Sequence, residues 1–266
     1  MSVPSPTALI ASERRIDVWL ACYDEISDPR LHAEYRKLLT DDERGRELGF
    51  YFPDDQKCYL ITRALVRTVL SKYLAVEPAE WRFTRNEYGR PQIANLDHEQ
   101  CGLRFNISHA RGLIAFAVTQ HREVGIDTEN MRARPVPFEI AHRFLSSTEL
   151  AELTTLPPER RQERFFEYWT FKESYIKARG MGLSIPLDQF SFHYPHERAV
   201  RIEIEPQLND SNRWAFWQFR PTTEHLLALC AEHRNGGSPS LTIRRTIPLL
   251  TEQVLQLELL KTSDVL

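Results

Sequence analysis

The stretch from about Glu159 to Ala178, ERRQERFFEYWTFKESYIKA, constrains the fold more than any other part of the chain. Its periodicity is helical, and Phe165, Phe166, Tyr168, Phe171 and Tyr175 make it apolar nearly all the way round. Such a helix needs neighbours on most of its sides, so it has to be a central element. On it Trp169, Glu173 and Lys177 recur at four-residue steps, which puts an indole, a carboxylate and an ammonium on one face. Glu173 followed by Lys177 is also the favourable order of an ordinary surface ion pair. Trp169 on the same stripe argues for a partly buried face, where an ion pair is costly to desolvate unless it is used or well satisfied. Gly180 to Gly182, GMG, reads as the C-cap of this helix and not as a phosphate loop.

The rest of the chain arranges itself around that helix. IDVWLACY (Ile16 to Tyr23) reads as a strand, and HAEYRKLLTDDERGRELGFYF as helical turns with acidic caps. A long helix runs from Asp55 to about Ala75 and carries Lys57, Arg63 and Arg67 among its apolar positions. The strand-like WRFTRNEYGRPQI follows, turning at Tyr88-Gly89-Arg90-Pro91. RFNIS, GLIAFAVT and EVGIDTE then read as strands. After the central helix come further strands at FSFHY, VRIEIE, WAFWQF and LLALCAE, so the second half repeats the element order of the first. This gives an α+β chain with an N-terminal subdomain over 1–122 and a C-terminal one over 123–240. RNGGSPS (Arg234 to Ser240) reads as a flexible connector, and 241–266 as a C-terminal tail, a peripheral helix or partly ordered.

Composition narrows the function classes. With 266 residues, 42 % of them hydrophobic, the chain can build a sizeable core. Lys and Arg total 34 against 37 Asp and Glu, a formal net charge of −3 that lacks the basic balance of a nucleic-acid coat or polybasic anchor. Any phosphate site must therefore be local. Cys22, Cys58, Cys101 and Cys230 are scattered without a CxxC pair, which argues for reduced, buried thiols. No leader and no apolar run of membrane-spanning length is present, so the expectation is a cytoplasmic protein without a membrane partner. GxxxxGK[ST], GxGxxG, HExxH and GxSxG are all absent, which removes the common nucleotide-loop, zincin and α/β-hydrolase readings.

Several side chains could carry chemistry. Asp127 and Glu129 stand two apart at the end of the apolar run VGID, hence on one face of a strand. Two adjacent carboxylates repel unless a hard cation such as Mg²⁺ neutralises them; taken alone, they also describe an exposed acidic strand end. Glu149 in FLSSTEL falls at a helix start, where Ser146, Ser147 or Thr148 can cap and a carboxylate favours the dipole. Ser108 and His109 directly follow a strand and open a turn, where functional side chains are commonly presented.

The order FNISHA, VGIDTE, RFLSSTE and FFEYWTFKESYIKARGMGLSIPL resembles the 4′-phosphopantetheinyl transferase family of the surfactin-synthetase-activating type, with weaker similarity from about Asp41 to Ala231. The resemblance implies a monomer of two similar α+β halves related by a pseudo-twofold. Coenzyme A and Mg²⁺, with Mn²⁺ as an alternative metal, would lie in the cleft between them. Carried over position by position, Asp127, Glu129 and Glu149 match the metal carboxylates, and Glu173 and Lys177 the catalytic pair, with Trp169 and Lys172 beside them. Ser108, His109, Lys172 and Lys177 match coenzyme-contacting positions, as does the Arg90-Pro91 turn, with Arg where the family type has Lys. Arg46 matches a basic position gripping the 3′-phosphate. Glu43 stands at another expected basic position and Tyr59 replaces a small hydroxyl residue, so that grip would be rebuilt around Lys57, Arg63 or Arg67.

The implied reaction moves phosphopantetheine from coenzyme A to a serine of an apo acyl or peptidyl carrier protein and releases 3′,5′-ADP. Arg111, Arg143 and the Arg160-Arg161 region are candidates for docking the carrier. Two rival readings remain from the residues alone: a Mg²⁺-dependent phosphohydrolase, which would also cluster acids, and a non-catalytic carrier-binding protein.

Overall fold

Apolar residues on both faces of the strands dictate a layered arrangement. In β1 (Arg15–Ala21), Ile16, Val18 and Leu20 point one way and Trp19 and Ala21 the other, and all five are buried. The computed structural model describes residues 9, 12–95, 102–133, 135–136, 138–205, 213–234 and 237–264. Cys101 and two residues of the expected connector, Asn235 and Gly236, lie outside the described residues.

One sheet has the order β12 (Thr251–Leu255), β11 (Ser240–Ile247), β1, β5 (Leu113–Gln120), β4 (Leu103–Ala110). The other runs β13 (Leu259–Thr262), β9 (Trp214–Phe219), β10 (His225–Glu232), β6 (Val124–Asn130). Val18, Ala115 and Ala117 of the first sheet meet Ile126, Trp217 and Leu229 of the second in one core. The outer face of the first sheet is covered by α1 (Pro29–Leu38) and α3 (Pro53–Leu70), with the capped α2 (Asp41–Leu48) between them in the chain. The outer face of the second is covered by α5 (Pro158–Arg179), the expected central helix, which follows α4 (Ser147–Thr155). None of the described helices is long and apolar enough to cross a membrane.

The two halves repeat one plan. β1, helices ending in α3, the small hairpin of β2 (Phe83–Arg85) and β3 (Pro91–Ile93), and the hairpin β4–β5 make the first. β6, helices ending in α5, the small hairpin of β7 (Phe190–His193) and β8 (Arg201–Ile204), and the hairpin β9–β10 make the second. Within the sheets the equivalents take the same order, β1-β5-β4 and β6-β10-β9. The α+β duplication read from element order is therefore present in space.

The segment expected to be a peripheral helix or loose tail is instead built into both sheets. β11 pairs parallel with β1, and β13 pairs antiparallel with β9. Its Leu, Gln and Glu content favours a helix locally, but the open sheet edges and a buried site for Ile243 override that preference. Arg244 adds an ion pair to Asp17, which also accepts from Tyr73 Oη at 2.9 Å. Ser108 and His109 also differ from expectation: β4 continues to Ala110, and the chain turns only at Arg111-Gly112, where Gly112 has φ 92°.

The halves meet at the edges of β4 and β6. Asn106 Oδ1 accepts from Ile126 N–H at 2.9 Å and Ser108 Oγ from Thr128 N–H at 3.4 Å, so β4 side chains replace a backbone ladder. On its other side β6 carries α5 at very close range. A Cβ placed on Gly125 would sit 2.0 Å from Ser174 O and 2.3 Å from Ala178 N, both backbone atoms of α5. Gly125→Ala should therefore push the helix off the strand and cost on the order of 3 kcal/mol, read as a fall in the urea midpoint at unchanged m-value.

Candidate active site

The close seat of α5 on β6 turns the helix stripe onto the strand's acids. Trp169 Nε1 donates to Glu129 Oε1 at 3.0 Å, and Lys177 Nζ donates to Asp127 Oδ1 at 2.6 Å and to Ser108 Oγ at 3.0 Å. Ser108 Oγ–H in turn donates to Asp127 Oδ1 at 2.9 Å, so α5, β4 and β6 converge on one carboxylate. His109, exposed at the end of β4, lies within electrostatic reach of Lys177, Asp127 and Asp55.

This cluster holds more negative charge than its ammonium satisfies. Asp127 is 4 % exposed; burial pushes its carboxyl above the ordinary range, with Lys177 and Ser108 opposing. Burial, reinforced by the charge of Asp127 and only partly offset by Lys177, pushes Glu173 up to about 7. Asp127 Oδ2 is buried without a hydrogen-bond partner, and the charge of Asp127 acts on a second carboxylate, Glu173. That is the environment a hard divalent cation relieves. Among the described residues no three His, Cys, Asp or Glu side chains form a ready-made cage. A cation here would be shared between Asp127, Glu129 and ligand oxygens, the usual habit of Mg²⁺.

Next to Glu173 and Lys177 lies a cavity of about 320 Å³ walled by Asn106, Ile176, Gly180 and the Tyr88–Pro91 turn. Pro91 also borders a larger cavity of about 680 Å³ lined by Glu43, Arg46, Tyr59, Arg63, Arg67 and Arg85.

The structure separates the sequence-predicted residues into two groups. Asp127, Glu129, Glu173, Lys177, Ser108 and His109 gather at the cleft. Glu149 and Lys172 do not: both side chains are 0 % exposed and pair with each other at 2.9 Å. Glu149 Oε2 accepts from Ser146 N–H and Oε1 from Phe192 N–H, while Lys172 Nζ donates to Leu187 and Phe190 carbonyls. Glu149 is thus a capping-box acid locked to a buried lysine, not a metal ligand, and Lys172 does not reach the coenzyme cleft. Burial pulls the Lys172 amine below its ordinary value, and Glu149 opposes that pull.

Arg90 is spent as well. Its guanidinium donates to Glu123, Ala178 O and Val124 O, pinning the β2–β3 turn to the C-terminal half, while the residue also borders the smaller cavity. Pro91 does line both cavities. Glu43 pairs with Arg63 at 3.0 Å and Arg67 at 2.7 Å, and Arg67 also donates to Pro78 O and Trp81 O, so neither arginine is a free cation. Lys57 donates to Asp24 O and is not part of this lining. Arg46 lines the larger cavity and makes no ion pair among the described residues.

Three positions that shape the cleft escaped the sequence reading. Gly125 sits in the VGID run, but nothing local marks it as a helix seat. Asn106 is a polar residue inside the apolar FNI. Asn86 Nδ2 donates to Gly180 O while its Oδ1 accepts from Tyr88 and Arg90 N–H, tying the turn to the left-handed cap of α5. Its turn signal, Asn before Glu-Tyr-Gly, was legible; its partner was not.

Removing one member of a buried pair strands the other charge, so Glu149→Gln should cost roughly 3 kcal/mol in denaturant unfolding. For Glu43, burial alone would raise the carboxyl, but Arg63, the Thr40 N–H and Arg67 together hold it below the usual range. A depressed folded-state pKa contributes stability that is complete above the unfolded value and lost as pH falls through the folded one. The stability gap between wild type and Glu43→Gln should thus be widest near neutrality, about 3 kcal/mol, and should close in unfolding curves below about pH 4.

Known proteins place this geometry. A family model described as the 4′-phosphopantetheinyl transferase superfamily matches residues 123–230, and one for the N-terminal part of a 4′-phosphopantetheinyl transferase matches 29–121. The 4′-phosphopantetheinyl transferase HetI of Nostoc sp. is 34 % identical over 77 % of this chain and 84 % of its own length. A 4′-phosphopantetheinyl transferase of Bacillus subtilis is 37 % identical over 73 % of this chain and 83 % of its own. The 4′-phosphopantetheinyl transferase Sfp of the same species is 32 % identical over 76 % and 86 %. The chain therefore belongs to the 4′-phosphopantetheinyl transferase superfamily and is an enzyme of phosphopantetheinyl transfer.

Proposed function

We propose that this enzyme takes 4′-phosphopantetheine from coenzyme A and attaches it to a serine hydroxyl of an apo acyl or peptidyl carrier protein. The observation that carries the assignment of roles is the convergence of Glu173, Lys177, Ser108 and the partnerless Asp127 oxygen on one cleft. When bound there by Asp127 and Glu129, Mg²⁺ or Mn²⁺ would offset the charge of the pyrophosphate.

Glu173 stands beside the metal carboxylates with a carboxyl raised to about 7, so it can accept a proton near neutral pH. The serine oxygen bonds to the pantetheine-side phosphorus and gives its proton to Glu173. The bond from that phosphorus to the bridging oxygen breaks, and 3′,5′-ADP leaves with the electron pair. Lys177 holds its ammonium against Asp127 and Ser108, where it can pair with the departing phosphate. Arg46 and Pro91 would line the nucleotide end, with Ser108 and His109 nearer the phosphates.

Both halves contribute to the cleft within one chain, β4 from the first and β6 with α5 from the second, which supports action as a monomer. For the carrier, Phe138, Ile140 and Arg143 are exposed on one short helical turn and combine apolar and basic character. Arg161, in contrast, donates to Leu156 O and Thr154 O and is engaged within the chain.

Incubation with apo acyl or peptidyl carrier protein, coenzyme A and Mg²⁺ should add one phosphopantetheinyl group in intact-mass analysis, and EDTA should abolish the gain. No gain on either carrier despite coenzyme A binding would sink the assignment. Glu173→Gln should lower turnover by at least about 100-fold while coenzyme A still binds; near-normal turnover would remove Glu173 from the proton transfer.

A further inference from the structure

A further cavity, of about 500 Å³, lies where β3 and the start of β4 meet the end of α5, walled by Gln92, Arg104, Glu123 and Arg179 together with Arg90 and Gly180. Asp127, Ser108, Glu173 and Lys177 are not among its described lining residues. Those residues do include three guanidinium groups and one carboxylate. The carboxylate is already committed: Glu123 Oε2 accepts from Arg90 at 2.8 Å, whereas Glu123 comes only within 3.6 Å of Arg104 Nε. Among the described residues Arg104 therefore keeps one hydrogen bond, to the carbonyl of Leu103 beside it at 3.3 Å. Arg179 is oriented at the same wall by Tyr175 Oη, which accepts from it at 2.8 Å.

Two donor forks on one cavity call for an anion with several oxygens. Guanidinium groups meet phosphate oxygens through paired N–H···O bonds, and a phosphomonoester carries close to two negative charges near neutral pH. A lone carboxylate offers two oxygens, which a single guanidinium already satisfies. The charge of Glu123 is offset by Arg90 and does not bar an anion. We infer that this cavity is a binding site for a small phosphate-bearing molecule, held by Arg104 and Arg179 and separate from the coenzyme site. Its position gives occupancy a consequence. Arg90, Pro91 and Gly180 border both this cavity and the one beside Glu173 and Lys177. An anion that takes Arg104 leaves Glu123 to Arg90 alone, and Arg90 is the side chain that ties the β2–β3 turn to α5 and β6. A bound phosphate thus firms the turn that walls the cleft.

The test is calorimetric titration of the full-length protein with inorganic phosphate and, separately, with glycerol 3-phosphate, the ionic strength being held at ~0.15 M with sodium chloride. At least one of the two should give a saturable event with a Kd of about 1 mM or tighter, and the tighter of them tells free phosphate from a phosphomonoester as the preferred form. Arg104→Gln should weaken that event at least about 10-fold, the usual range for lost hydrogen bonds to a charged group. Because the Arg104 side chain is 40 % exposed, its ligand-free thermal midpoint should stay close to that of wild type. Lys177→Gln, which removes the cation of the neighbouring cavity, should leave the event in place, and saturating coenzyme A in the wild-type protein serves as a second block of the cleft. Equal affinity in wild type and Arg104→Gln would overturn the inference, since a general stabilisation by phosphate acts on both alike. So would an event abolished by Lys177→Gln or by coenzyme A, which would put the anion in the cleft, or the absence of saturation with either probe below ~10 mM.

Discussion

Everything at the cleft depends on how closely α5 approaches β6, and that distance is set by the missing side chain at Gly125. The backbone of the helix occupies the space where a Cβ would be. Trp169 and Lys177 stand about 12 Å apart along the helix and Asp127 and Glu129 about 6.6 Å apart along the strand, so the two long side chains lean inward from either side of Glu173 to reach the acids. They can span that mismatch only because the helix lies so close to the strand. A wider separation would leave the same residues as the surface ion pair that their spacing also describes. What makes the stripe chemical rather than ornamental is a contact distance, not the identity of the stripe itself.

The same helix sorts its charges by face. Lys172 and Glu173 are neighbours in sequence but about 100° apart around the axis. Lys172 turns toward β7 and is enclosed with Glu149 and two carbonyls, every donor engaged. Glu173 turns toward β6 and meets Asp127 with too little positive charge to satisfy both. A fully matched pair is inert and holds α4, α5 and β7 together; an unmatched one is available to a ligand. The contrast explains why Lys172 and Glu173, less than one turn of rotation apart on one helix, end in a closed ion pair and at an open cleft.

That sorting also marks the limit of what the sequence could disclose. Asp127 and Glu129 were legible because period two places them on one strand face, and the helix stripe because period four does the same. Glu149 was misassigned, although Ser146-x-x-Glu149 is itself a capping-box pattern that the structure uses. That Lys172 would join the Ser146 N–H on one oxygen, and the Phe192 N–H take the other, depended on tertiary packing. Arg63 and Arg67 read as free cations until Glu43 folded against both. Asn106 could not be recognised at all, because its meaning arises only where β4 lies beside β6. The last strands were missed for the converse reason: from Leu250 to Leu260 the Leu, Gln and Glu residues favour helix locally, and the edges of two sheets supplied the stronger demand.

Those last strands alter how the two halves are held. At one side, β11 adds a full parallel ladder to β1 and β13 an antiparallel one to β9, with Arg244 locked on the buried Asp17. At the other side, β4 and β6 meet through Asn106 and Ser108 side chains rather than through a ladder. The cleft edge is thus the more sparingly bonded of the two, and one of its two bridging side chains, Asn106, also borders the cavity beside Glu173 and Lys177. Any ligand that bound only the joined halves would strengthen this sparsely bonded edge by linkage, so occupancy of the cleft and cohesion of the two halves would reinforce each other.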